Sequence, residues 1–327
     1  MEDRGGSGLI LVCGASGELG RRVARQLLER GASVRVLLRP QTDATELHES
    51  GAEIVRGDFR DRESLERAVE GVATVVSGVT ALTRMLAGAE GRDGFRAVDR
   101  DGNLALIEAA ERAGAERFVF VSVAGIERAR QTPYGQAKLA VEARLLRSPL
   151  REVVVRPAAF QEVVLSPAAG LDWDNGKLTI FGRGEAPVRY VAVDDVAAAV
   201  ACLALAEDSP RRVDFGGPEA LSRNEVASLI ELAARRPMRR RRVPRPVLAA
   251  GSRILKRLTP ELATVMGLSL MMDDGAGWDE WPLRELGIEP RPASAYIAQI
   301  VGSQEPQQPV EGLLGALPAH ASGEEGI

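Results

Sequence analysis

Residues 8–20 read GLILVCGASGELG, and few folds have a use for residues in that order. Leu9–Val12 is an apolar run the length of one buried strand, and Arg21–Glu29 carries Val23, Leu27 and Leu28 at helical spacing. Between them stand Gly14, Gly17 and Gly20. Strand, glycine turn and helix in succession form the context in which a dinucleotide pyrophosphate is held. Gly14 lets the chain leave the strand sharply, Gly17 leaves room for a phosphate against the backbone, and Gly20 lets the helix lie close on the sheet. The unpaired N–H groups at the helix start, with the helix dipole behind them, favour negative charge over the turn. The spacing is G-x-x-G-x-x-G rather than the commoner G-x-G-x-x-G, so the flanking strand and helix matter as much as the glycines.

The unit repeats along the chain. Ser33–Leu38, Glu53–Arg56, Ala73–Val76, Arg117–Val121 and Glu152–Arg156 read as further short strands. Gly31 closes the first helix as a C-terminal cap. Asp61 caps a helix through Glu70, Asp99–Ala113 turns Leu104, Ile107, Ala110 and Ala113 inward, and Thr132-Pro133 open another helix. Strands alternating with helices at short spacing predict an α/β fold, a Rossmann-type doubly wound parallel sheet. Residues 81–94 read as a Gly-rich loop, either a flap or an insertion. We expect a dinucleotide-binding core over residues 8–157 and a smaller C-terminal substrate lobe over 158–302, where the alternation loosens. There Gly170–Gly184 reads as a loop and hairpin, Arg189–Val193 as a strand, and Asp194-Asp195 as caps of a helix Val196–Ala206. Arg212–Phe215 reads as a late strand returning to the main sheet. Ser222-Arg223-Asn224-Glu225 is a capping box opening a helix to Ala234. Thr259-Pro260-Glu261 starts another helix, and Pro282–Gly287 forms a short one. Residues 303–327, rich in Gln, Glu, Pro and Gly, predict disorder.

Composition narrows the function classes. The 327 residues are 45% hydrophobic and 27% charged, with a net charge of −4. A balance so close to neutral predicts neither nucleic acid nor a membrane as a bulk partner. The longest apolar run, Val196–Ala206, is too short to span a bilayer, and the polar N-terminus is no signal peptide. Cys13 and Cys202 are far apart and make no metal-ligand spacing, so no metal site is expected and a reducing cytoplasm fits. The segment Arg235–Arg245 holds seven arginines. It reads either as an anion patch or as a solvated loop with a helix end, and no aromatic residue interleaves to stack on bases.

Several positions carry chemistry. The second strand ends in Arg39-Pro40, with no acidic residue there to bind ribose hydroxyls. Arg39 therefore reads as a partner for a 2′-phosphate, favouring NADP over NAD, with a solvated surface arginine as the alternative. Asp58 follows the third strand, where it can accept from an adenine amino group, with Phe59 packing nearby. Ser77 and Gly78, followed by Val79-Thr80, are small enough to sit under a nicotinamide ribose. Tyr134 and Lys138 stand four residues apart, on one face of a helix. A tyrosine hydroxyl, with a pKa of about 10, is a poor acid at neutral pH. A neighbouring ammonium lowers that value, so the tyrosine can protonate a carbonyl oxygen as hydride arrives. The same lysine can hold the nicotinamide ribose.

With these motifs the chain resembles the short-chain dehydrogenase/reductase superfamily, and within it the atypical, NmrA-like group of NAD(P)-binding proteins. Gly14–Gly20 (GASGELG), Arg39, Gly57-Asp58, Val121-Ser122, Tyr134–Lys138 (YGQAK), Arg156-Pro157 and Val193–Val196 (VDDV) carry the likeness. It implies that the turn (Gly14, Ser16, Gly17, Glu18, Leu19 and Gly20), the basic residue after the second strand and the GD pair bind the cofactor. Two departures stand out. Val123 occupies the slot where a catalytic member carries Ser or Thr, with Ser122 one place earlier. Asp99 replaces the Asn of the preceding helix, with Asn103 one turn on. Two functions follow from the resemblance: an NADPH-dependent oxidoreductase acting on a carbonyl, quinone or enone, or a non-catalytic NADP(H) sensor read by a protein partner.

Overall fold

The computed structural model describes residues 8–86, 94–275 and 277–302. Seven strands form one parallel sheet: β1 (Ile10–Cys13), β2 (Val34–Leu38), β3 (Glu53–Arg56), β4 (Thr74–Ser77), β5 (Arg117–Val121), β6 (Arg151–Pro157) and β9 (Arg212–Phe215). Their spatial order is β3-β2-β1-β4-β5-β6-β9. The inner strands are short and largely apolar because helices cover both faces, while the edge strands β3 and β9 carry charged residues. On one face Val23 and Leu27 of the helix Glu18–Glu29 pack with Val196 and Val200 of the helix Val193–Leu205. On the other, Leu65, Leu106 and Val141 come from the helices Arg62–Val69, Asn103–Arg112 and Pro133–Leu145.

Strand order reverses between β1 and β4, so a crevice opens at their C-terminal ends. Cys13 pairs with Ser77 there, and the chain enters Gly14 and Gly78 side by side. The glycine turn thus sits at the point where an open α/β sheet binds ligands.

A second, three-stranded sheet joins β7 (Leu171–Asp172), β8 (Lys177–Phe181) and β10 (Arg239–Val243) in the order β10-β8-β7. β7 and β8 form the expected hairpin, and β9 returns to the main sheet beside β6. Ser222 and Glu225 make the reciprocal capping box at the helix Arg223–Ala233.

Four local expectations need correction. Arg189–Val193 is no strand: Val188 bridges to Leu221 and Val191 to Phe160, on different partners. The helix expected at Val196 begins at Val193, with Asp194 and Asp195 in its first turn. Glu162 caps it, accepting the Val193 N–H at 3.1 Å. In the arginine segment, residues 235–238 form the expected loop after the end of the helix Arg223–Ala233, but Arg239–Val243 is the edge strand β10, parallel to β8. Residues 82–86 form a short helix, while 87–93 lie outside the described residues, as does the tail read as disordered.

Candidate active site

Gly14 has φ +94°, and a side chain there would press on the backbone of Gly78 and Val79 at 3.2 Å. Gly20 is equally fixed by packing, since an added Cβ would overlap the Gly14 carbonyl. Gly17 differs. Its φ is −98°, open to any residue, and an added Cβ would meet only the Gly14 oxygen, at 3.4 Å. Nothing within the fold requires glycine at this position. Gly17 is also the N-cap of the helix Glu18–Glu29 and offers no side chain to its first N–H groups. Ser16, Gly17 and Glu18 are exposed at the crest, and Glu18 turns its carboxylate to Arg21 and Arg22. Leu19 packs beside Gly78. An uncapped helix start facing an open cradle suits a pyrophosphate, so the residues present fit a dinucleotide.

At the outer end, β2 and β3 are neighbours, and Arg39 and Asp58 leave them close together. Arg39 is exposed. The Asp58 carboxylate is taken by Arg60, at 2.8 and 3.0 Å. That bond, with help from the Arg39 charge, holds its pKa down at about 2. It does not face an adenine site unengaged, as the sequence suggested. Phe59 lies against Gly102, where any side chain would displace its ring.

Ser77 departs further from expectation. It is fully buried, and its hydroxyl donates to Asn103 Oδ1 at 2.6 Å, so it points into the core rather than under a ribose. Asn103 in turn donates to the carbonyls of Val98 and Asp99 at 3.2 and 3.0 Å. Those carbonyls belong to a π-helix, Phe95–Gly102, that precedes the helix Asn103–Arg112. The extra residue per turn widens the coil and carries Asp99 inward, a geometry common at functional sites.

Asp99 is fully buried beside Tyr134 and Lys138. Its Oδ2 accepts the Ala81 N–H at 2.9 Å. Its Oδ1 has no hydrogen-bond partner and stands 3.8 Å from Lys138 Nζ. Lys138 donates to the Val121 carbonyl at 3.0 Å and lies over the rings of Phe120 and Tyr134. Burial pushes the carboxyl of Asp99 up and the ammonium of Lys138 down, each partly offset by the other's charge. Tyr134 contradicts the sequence-based expectation. Burial and the Asp99 charge push its hydroxyl up, opposed only by Thr80, so it is held protonated. Thr80, two residues beyond Gly78, stands close enough to Tyr134 and Asp99 to pull both groups' pKa values down, against the larger effect of burial.

Tyr134 is only 4% exposed. Met85 and Phe95 pack around it, with Val123, Leu268 and Met271 over the cluster. Val123 packs against the cluster that contains Tyr134 and brings no hydroxyl to it, while Ser122 Oγ is buried without a partner. Beyond Met271 an open cleft of about 330 Å³ is lined by Arg128, Gln131, Arg245 and Arg253.

Two motif positions serve the frame. Arg156 is buried and grips Glu142, one turn beyond Lys138, and Glu127 at 2.6 Å. Asp194 bonds Arg22 of the glycine-turn helix at 2.6 Å and Arg291 at 2.7 Å. Asp99, Asn103 and Arg156 stood out in the sequence as departures or motif positions, but what they do was not legible there, because each acts through a neighbour brought close only by folding.

A family model described as NAD(P)H-binding matches residues 14–207, more than half of the chain. The chain belongs to this NAD(P)H-binding family. Its relatives differ in role. The photosystem II assembly factor Ycf39 of Trieres chinensis is 30% identical over 246 residues, 75% of each chain. The NAD(P)H azoreductase of Xenophilus azovorans is 30% identical over 232 residues, covering 71% of this chain and 76% of that one. Among solved structures, the NADPH-dependent quinone oxidoreductase QOR2 of Escherichia coli, complexed with NADPH, superposes with a TM-score of 0.72. It covers 89% of this chain and 99% of that one at 17% identity, a likeness of fold. This is the fold of the atypical short-chain dehydrogenase/reductase group that the sequence resembled. No helix among the described residues is long and apolar enough to cross a membrane.

Proposed function

We propose that this NAD(P)H-binding protein is an NADPH-dependent reductase whose acceptor is a conjugated carbonyl, a quinone or an enone. The observation that carries this reading is the buried cluster of Asp99, Tyr134 and Lys138, next to Thr80 on the segment that leaves the crevice at Gly78. The amides at Gly17–Gly20 hold the pyrophosphate, and Arg39 stands where a 2′-phosphate would end. The reduced dinucleotide, when bound, supplies the hydride. Tyr134 is kept protonated by burial and by Asp99, so it offers a proton at Oη to an oxygen gaining charge. Lys138 orients that hydroxyl and holds the ribose. With Val123 in place of a hydroxyl, the substrate oxygen has one donor fewer. An acceptor that spreads its negative charge over a conjugated system tolerates this loss better than an isolated ketone. The cleft beyond Met271 is the approach for such a substrate.

The test is NADPH oxidation across a panel of quinones, enones and simple ketones. Turnover with the conjugated acceptors, reduced about 100-fold in Tyr134→Phe with NADPH binding intact, supports the reading. A second reading rests on the cover over Tyr134 and on the Ycf39 relatives. In it the protein binds NADP(H) without turnover, and a protein partner responds to the bound state. Absence of oxidation across the panel despite tight NADPH binding selects it.

A further inference from the structure

The near-neutral total charge conceals a separation. Positions 232–260 contain ten cationic side chains and no acidic one. Three are engaged: Arg236 donates to the carbonyl of Trp173, Arg240 pairs with Glu231, and Arg245 with Asp273 and Asp274. The other seven make no ion pair among the described residues. Four consecutive arginines, Arg239–Arg242, lie exposed along β10, the outer strand of its sheet.

Beside this strand the helix Arg245–Ile254 and the 3₁₀ turn Leu255–Arg257 follow. Leu248 is buried against Val243, Leu262 and Met266. Val247, Ile254 and Leu258, spaced seven and four residues apart, fall on the outer side. Ile254 and Leu258 are 70% and 71% exposed. Scattered exposed aliphatics are ordinary. An exposed aliphatic row set among Lys256, Arg257 and an arginine strand is the pattern of an interfacial, lipid-facing helix.

We propose that this face docks onto the surface of an anionic lipid bilayer. Headgroup phosphates take the arginines, and Ile254 and Leu258 enter the acyl boundary. A second copy fits poorly, because a two-fold contact sets the cationic patch against its own image. Nucleic acid fits less well too, since residues 232–260 contain no aromatic side chain to stack on bases and the aliphatics gain nothing from phosphates. The proposal is independent of whether the protein turns over NADPH.

The experiment is co-sedimentation of the full chain with vesicles of phosphatidylglycerol and phosphatidylcholine in equal parts, and with phosphatidylcholine alone. Binding is expected only to the anionic vesicles, and is lost near about 1 M salt, where the screening length is about 3 Å. Arg239→Ser, Arg241→Ser and Arg242→Ser each weaken it about fivefold. Ile254→Ser with Leu258→Ser weakens it by roughly tenfold per side chain. These positions are exposed, so an unchanged melting temperature shows that each variant is folded. Equal binding to both vesicle types, or to neither, overturns the proposal. So does tighter binding to a DNA duplex that the Ile254 and Leu258 changes leave intact, or a dimer that those changes dissolve.

Discussion

Gly17 and Gly20 lie three residues apart in one turn, yet they are glycine for different reasons. At Gly20 a methyl group would overlap the Gly14 carbonyl, so Gly20→Ala forces the helix off the turn. We expect it to lower stability by about 2 kcal/mol, read by denaturant unfolding. At Gly17 the methyl finds space and an ordinary φ of −98°. Gly17→Ala should leave the unfolding midpoint nearly unchanged while weakening dinucleotide binding at least tenfold by titration calorimetry. A variant that loses stability but keeps affinity would place the phosphates elsewhere. Asp58 gives a residue-scale pH dependence. Arg60 lowers its folded pKa from the ordinary 3.8 to about 2. Its contribution is therefore present above pH 3.8 and disappears as the pH falls through 2. Asp58 is 37% exposed, so screening keeps the contribution to roughly 0.5 kcal/mol. Asp58→Asn should melt slightly below the parent at pH 6 and level with it near pH 2.

Among elements, the π-helix Phe95–Gly102 has most bearing on the site, because it sets Asp99 beside Lys138. Asn103 holds the wide turn by bonding two of its carbonyls and the Ser77 hydroxyl. Asn103→Ala leaves these buried groups without partners, at a cost of about 1–3 kcal/mol. The midpoint of unfolding should fall accordingly. A loss under 0.5 kcal/mol, within the scatter of ordinary surface changes, would mean that the coil does not depend on that amide. The sequence showed a helix from Asp99 on but not the wider pitch of Phe95–Gly102, since eight residues hold too few turns for their period to show. Strands of the main sheet were legible because burial on two faces demands apolar runs bounded by Gly, Asp or Pro. β10 was not, since Arg239–Arg242 lies at an edge where no alternation is required. Arg189–Val193 misled for the opposite reason: its apolar residues serve isolated bridges and the core rather than a ladder. In the site, glycines and the Tyr134–Lys138 spacing were readable as local pattern. The burial that raises Tyr134, and the arrival of Asp99, come from elements remote in sequence.

Across the whole molecule, affinity for the dinucleotide is linked to the folding equilibrium, so cofactor choice can be measured without a substrate. A ligand that binds only the folded chain raises the unfolding free energy by about 2.7 kcal/mol at a hundred times its Kd. Arg39 sits exposed at the end of β2, with Asp58 beside it held ionised. A bare ribose gains little from that arginine, whereas a 2′-phosphate gains a charge-assisted hydrogen bond. NADPH should therefore raise the melting temperature more than NADH at equal concentration. Arg39→Ala should reduce NADPH affinity about tenfold and leave NADH affinity unchanged. Asp58 repels the same phosphate, so the preference is the difference between two opposed charges rather than the whole of one. Asp58→Asn should widen the gap between NADPH and NADH, even as it costs slight stability at neutral pH. If Arg39→Ala and Asp58→Asn shift the two nucleotides together, neither side chain reads the phosphate, and the preference must arise elsewhere along the crevice.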